Sequence, residues 1–270
     1  MSPVKLKVAA ALHVYGDVTA ETFLAWAGEM AADPREGIGR LDLIPPVADA
    51  LLSRVRSLLV TQAIDAGYDV LIWIDHDMVW SAGDVADLAL RCAQVEGVVG
   101  GLFPYRAEGM RGFPWRALPG TTGADVRLGM DELLEAEFVS GGFVAFWVPA
   151  LRRMVEALKD SWDPALKVTK CRANPCGYFW DVCRPVAVPY EDGSTEKDGL
   201  SNYVSEDWIL VARLRATGTK CYAWMRPLLR HVGRKCFSVA DALGLAGTAD
   251  EVEAKLRATA KAIAEGEAET

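Results

Sequence analysis

No run of about 18 apolar residues occurs anywhere in the 270-residue sequence, so no segment reads as a membrane-spanning helix. The start, Met1-Ser-Pro-Val-Lys-Leu-Lys-Val8, has neither the apolar core nor the small-residue cleavage site of a secretory signal. A cytoplasmic protein with no membrane partner is the expectation. Internal repeats and linker-like stretches are missing too, which argues for one main domain. Basic residues are not in excess: 29 Lys and Arg stand against 37 Asp and Glu, a net charge of −8 that speaks against indiscriminate nucleic-acid binding. The six cysteines do not form the framework of a small secreted protein. Cys171, Cys176 and Cys183 are separated by four and six residues, whereas paired zinc ligands usually stand two to four apart. Reduced cysteines are expected there, with a structural zinc completed by Cys221 or Cys236 as the alternative.

What is present is an ordinary globular composition, 51% hydrophobic and 24% charged, which excludes a disordered chain. Short apolar runs alternate with helical periodicity. Val8–Leu12 reads as a buried strand leaving into a loop at His13-Val-Tyr-Gly16. Val55, Leu58, Leu59 and Ala63 mark a helix stopped by Gly67. Asp69–Ile74 is a nearly continuous apolar run, as in a central parallel strand covered on both faces. A helix over Asp84–Gln94, a strand over Gly97–Gly101 and a β-prone stretch around the glycine pair in Phe138–Val148 follow. Pro149 suits the first turn of the next helix. Asp207–Thr217 then reads as a helix closed by Gly218, and Cys221–Met225 as a late strand. Together these predict an α/β fold with a mainly parallel central sheet flanked by helices. Residues 103–130 and 160–203 do not fit the alternation and are expected to be long functional loops. The domain is placed at 1–237, with 238–270 as a C-terminal helix and acidic tail.

The most informative segment is Trp73-Ile-Asp75-His76-Asp77-Met78. Two carboxylates one residue apart, where a buried strand ends, sit at the edge where open α/β sheets bind ligands. Their desolvation is offset only by a cation, and oxygen ligands of this kind suit Mg²⁺ or Mn²⁺. Glu206 and Asp207 form a second acidic pair at a helix start, where helix capping and general-base chemistry are both open readings. His231 stands in Arg230-His-Val-Gly233, inside the stretch Trp208–Ala240, which holds seven basic residues and no acidic one. Arg213 and Arg215 read as a solvated helix face, and Arg226 to Lys235 as a cluster suited to phosphate. Arg54 and Arg56 precede the central strand.

In their order along residues 4–236, these segments resemble the GT-A-type nucleotide-sugar-dependent glycosyltransferases, DxD-containing and family-2-like. Arg54-Val-Arg56-Ser57 resembles the Arg-rich helix ahead of the metal motif, with Ser57 where Asn is common. Asp75-His-Asp77 resembles the DxD motif, and Val98–Arg106 the glycine-proline segment after the next strand. Phe138–Phe146 resembles the glycine-containing strand of the acceptor side, Ser205-Glu-Asp-Trp208 the acidic pair of that site, and Arg230-His-Val-Gly233 the late metal histidine. The resemblance implies a metal-dependent transfer from a nucleotide-diphosphate sugar, a UDP-sugar first among them. The metal, Mn²⁺ or Mg²⁺, would lie on Asp75, Asp77 and His231. Tyr15, Gly16, Arg54, Arg56, Asp75 and His76 would meet the donor. Asp207, with Glu206 as the second choice, would be the base of an inverting reaction.

Two other classes compete. A sugar-phosphate nucleotidyltransferase usually opens with a Gly-rich basic loop, which Leu12–Asp17 lacks. A non-catalytic nucleotide-sugar-binding relative has no reason to keep carboxylates at both sites. The acceptor is open among a glycan, a protein, a small molecule and a hydroxymethylated base in DNA, the last fitting a phage-encoded enzyme acting in a host cytoplasm. Phe103, Tyr105, Arg106, Arg111, Phe113, Trp115 and Arg116 interleave aromatics with arginines as base- and phosphate-contacting loops do. Half the negative excess lies in residues 241–270, with seven acidic and three basic side chains, so the charge does not exclude such a polyanion.

Overall fold

A computed structural model describes residues 5–13, 18–32, 35–44, 51–105, 113–119, 133–173, 177–188, 202–225, 228–232 and 236–237. In chain order its first half comprises β1 (Leu6–His13), α1 (Ala20–Ala31), β2 (Ile38–Ile44), α2 (Leu52–Asp65), β3 (Val70–Asp75), β4 (Met78–Val79), α3 (Asp84–Val95) and β5 (Val98–Gly101). There follow β6 (Trp115–Ala117), β7 (Leu133–Val139), β8 (Phe143–Trp147), α4 (Val148–Leu158), β9 (Lys170–Ala173) and β10 (Gly177–Trp180). The last elements are β11 (Val186–Val188), β12 (Asn202–Val204), α5 (Glu206–Ala216), β13 (Cys221–Trp224), β14 (Arg230–Val232) and β15 (Cys236–Phe237).

Eight strands form one sheet in the order β2-β1-β3-β8-β5-β13-β7-β6. Six run one way, while β8 and β7 run against them. The alternation within each strand explains the continuous apolar runs. In β3, Leu71 and Trp73 enter a core shared with α2, α4 and α5, while Val70, Ile72 and Ile74 enter a second core with α3 and Trp26 of α1. Both faces are thus buried, as a covered parallel strand requires.

Helix boundaries follow local chemistry. Gly67 takes a left-handed φ of 67° to end α2, and Gly218 does the same after α5 at 84°. The start of α3 is capped from outside: Gly83 has no side chain, and the buried Glu29 carboxylate accepts from Gly83 N at 2.7 Å and Ala86 N at 3.3 Å.

Three expectations need correction. The Phe138–Val148 stretch is two strands that are not sheet neighbours, since β7 pairs β13 and β6 whereas β8 lies between β3 and β5. The step between them is possible because Gly100 lacks a Cβ, which would come within 2.6 Å of Val139. Residues 160–203 are not simply loop, for they contain the antiparallel pair β9–β10 and the strand β11 paired with β12. Arg213 is fully buried rather than part of a solvated face. Its guanidinium donates to the carbonyls of Ala165, Leu166, Lys167 and Val182, at 2.7–3.2 Å, and fastens those loops to α5. The segment 238–270 lies outside the described residues.

Candidate active site

Parallel β1 and β3 end together, with His13 opposite Asp75, and β4 then turns out of the sheet to pair with β14. That small sheet sets His231 opposite Met78, and Val232 N donates to Asp77 O at 2.8 Å. Asp77 is 5% exposed, and its Oδ2 lies 3.3 Å from His231 Nε2. The other ring nitrogen, Nδ1, is 3.0 Å from the Pro104 carbonyl oxygen. A carbonyl can only accept, so Nδ1 carries a proton, and Nε2 faces the carboxylate as a lone pair in the neutral ring or as a donor in the protonated one. Two acceptors facing one another in a buried place are stable with a cation between them or with the ring protonated. Their separation is near the roughly 3 Å between adjacent ligands of an octahedral Mg²⁺-sized ion, and the backbone-oriented imidazole is the usual arrangement of a metal-ligating histidine. Asp77 and His231 therefore fit a divalent cation.

Asp75 does not join that pair. Its Oδ1 accepts from Arg56 Nη2 at 2.9 Å and lies 3.4 Å from His13 Nδ1. Burial pushes its pKa up, but the Arg56 charge, with the His13 ring close by, outweighs this and holds it at about 2. His13, buried against Trp73, has its pKa lowered by burial to about 4 and is neutral near pH 7. Among the described residues no three His, Cys, Asp or Glu side chains converge as a preformed metal cage.

The two arginines of α2 part company because residues two apart on a helix point in nearly opposite directions. Arg54 faces outward, whereas Arg56 is 2% exposed. Arg56 Nη1 donates to Glu206 Oε1 at 2.9 Å, and Nη2 donates to both Asp75 and Gly141 O, the latter at 3.3 Å. It thus holds the carboxylates of both acidic motifs. Asp207 is held by neutral donors instead: Gly141 N (3.0 Å) and Ser140 Oγ (3.4 Å) on Oδ2, and Ser205 Oγ (2.5 Å) and Trp208 N (2.9 Å) on Oδ1. Beside it Trp208 stacks on Phe138, with ring centroids 3.8 Å apart, and carries the Arg116 guanidinium 4.4 Å from its own centroid.

Asp75, Arg56, Glu206 and Asp207 are therefore one cluster, with Asp77 and His231 a second on the same edge. His76 contributes backbone here, its N donating to His13 O and its carbonyl accepting from Thr19 N. Tyr15, Gly16, Arg226, Arg234, Lys235, Arg106 and Arg111 lie outside the described residues, as does Cys176. Cys171 is half-buried on β9, and Cys183 is buried with its thiol pushed up to about 12 by desolvation. Sequence reasoning singled out the segments that hold the Ser140-Gly-Gly142 turn and Pro104 without giving those groups a role, and it missed His13. A signal for His13 was readable, since aligning the apolar runs of β1 and β3 sets it level with Asp75.

No family model matches this chain, and no curated protein does. Among solved structures it is similar to the crystal structure of A197 from STIV, at 13% identity over 86% of this chain and 94% of that one, with a TM-score of 0.48. It is also similar to the crystal structure of GalNAc-T7 with UDP, GalNAc and Mn²⁺, at 13% identity over 86% of this chain, with a TM-score of 0.50. The match spans 44% of the GalNAc-T7 chain. At this identity the likeness is one of fold, and the fold is that of the GT-A-type glycosyltransferases.

Proposed function

We propose that the protein is a metal-dependent glycosyltransferase that moves a sugar from a nucleotide-diphosphate sugar, a UDP-sugar first, to an acceptor hydroxyl. The observation that carries this reading is the buried Asp77 carboxylate 3.3 Å from His231 Nε2, on the same sheet edge as a carboxylate pair anchored through Arg56. The fold shared with a structure containing UDP and Mn²⁺ supports it. Asp77 and His231 would hold Mn²⁺ or Mg²⁺, which when bound neutralises the donor diphosphate and improves it as a leaving group. Asp75, fixed through Oδ1 but with its side chain 32% exposed, accepts from a donor hydroxyl.

Asp207 is the base. Glu206 is committed through Oε1 to Arg56 at 2.9 Å, whereas Asp207 is oriented by Gly141 N, Ser140 Oγ, Ser205 Oγ and Trp208 N and is not tied to that guanidinium by a hydrogen bond. An acceptor hydroxyl would dock on Asp207 Oδ2, displacing its longest contact, Ser140 Oγ at 3.4 Å. The proton passes from that hydroxyl to Asp207, the acceptor oxygen bonds the anomeric carbon, and the bond to the diphosphate breaks, with inversion. The exposed Arg116 on the Trp208 stack supports an acceptor with a flat face, a sugar or a hydroxymethylated DNA base. Release of nucleoside diphosphate from a donor panel, with and without Mn²⁺ and with modified or unmodified DNA, tests the reading. Asp77→Ala is expected to abolish metal-dependent release, and full activity in that variant refutes it. Pyrophosphate released from a nucleoside triphosphate and a sugar phosphate would identify a nucleotidyltransferase instead.

A further inference from the structure

Arg56 occupies a position that the transfer chemistry alone does not require. It touches neither the Asp77–His231 pair nor an open surface, yet its two terminal nitrogens reach carboxylates from the two motifs, Asp75 at the end of β3 and Glu206 at the start of α5, both at 2.9 Å. A second route runs through the turn between β7 and β8. Gly141 O accepts from Arg56, Gly141 N donates to Asp207 at 3.0 Å, and Gly142 O accepts from Asp75 N at 2.9 Å. The turn is shaped for this arginine, since a Cβ on Gly141 would meet Nη1 at 2.6 Å.

We propose that Arg56 is a positioning residue that couples the donor side of the site to the acceptor side, so that a change at Glu206 is felt as a change in nucleotide affinity. The proposal rests on the glycosyltransferase reading above. Its physical basis is that one buried guanidinium is shared by two carboxylates with no bulk water to replace a lost partner. When Asp75 engages a donor, or Glu206 is altered, the remaining hydrogen bonds of the same planar group readjust. Lysine keeps the charge but gathers its donors on one nitrogen, without the two separate nitrogens that Arg56 turns to Asp75 and Glu206.

The test is a mutant cycle read by the affinity of UDP in the presence of Mn²⁺. Glu206→Gln, on the acceptor side, is expected to change UDP affinity by about fivefold or more in the wild-type background and by less than about twofold in Arg56→Lys. A purely structural Arg56 would not make the effect of Glu206→Gln depend on which cation occupies position 56. Urea unfolding without nucleotide supplies a ligand-free cycle, in which Asp75→Asn and Glu206→Gln are expected to be non-additive in the wild type and additive in Arg56→Lys. If UDP binds but Glu206→Gln leaves its affinity unchanged, the coupling is refuted while the donor reading stands. If no nucleoside diphosphate binds at all, the donor reading fails and takes the coupling with it. Additive unfolding energies in the wild type also overturn the proposal.

Discussion

Gly141→Ala is a small substitution with a large expected effect. Gly141 does not have a positive φ, so its backbone tolerates alanine and the perturbation is purely one of space. The new methyl would stand 2.6 Å from Arg56 Nη1 and 2.9 Å from Cζ, where ordinary contact begins at 3.4 Å. The guanidinium must therefore retreat by about 0.8 Å, enough to disturb its 2.9 Å bonds to Glu206 and Asp75. Overpacking a core costs about 1–3 kcal/mol, and a hydrogen bond between charged groups is worth about 1.5–3 kcal/mol. Where both terms apply, a loss of about 2.5–6 kcal/mol follows, or a fall in Tm of about 5–20 °C for a chain of this size. Thermal and urea unfolding measure it, with donor turnover as the second readout. In an Arg56→Ala background no guanidinium stands in the way, so the same substitution is expected to cost much less. A Tm within about 2 °C of wild type, or an equal loss in both backgrounds, would refute the reasoning.

Other expectations follow from the same geometry. His231→Ala is expected to raise the Mn²⁺ concentration needed for half-maximal donor turnover by about 10–100-fold with little loss of stability, and an unchanged metal requirement would contradict the assignment. The depressed pKa of Asp75, about 2, means its ion pair stabilises the fold above the unfolded carboxyl value of about 3.9 and is lost as pH falls toward 2. Asp75→Asn should therefore flatten the acid limb of stability between about pH 4 and 2, as read by urea unfolding across that range. Arg213→Met leaves four carbonyls, the buried one of Val182 among them, without their donor and is expected to destabilise by about 3 kcal/mol, whereas a solvent-facing arginine would cost almost nothing.

Much of the α/β order could be read directly because its signals are local. The apolar run ending at Asp75 can be nothing but a strand buried on both faces, and Gly67 and Gly218 stop helices wherever they fold. Two carboxylates at such a strand end, and the acidic pair before Trp208, are likewise chemistry that a linear reading detects. Partnership is different, because it depends on which strand ends lie side by side. Only His76 separates Asp75 from Asp77, yet the chain turns out of the sheet between β3 and β4 and sends one carboxylate to Arg56 and the other to His231. Arg54 and Arg56 look equivalent in the sequence, but helical geometry turns one to solvent and buries the other between the two acidic motifs. Arg213 reads as a surface charge until the backbone at 165–167 and at Val182 is seen to close over α5. The sequence by itself determined the kinds of group available and the class of fold that presents them. Only the tertiary structure decided which charges share a partner, since long-range pairing is settled by desolvation and packing that no local pattern records.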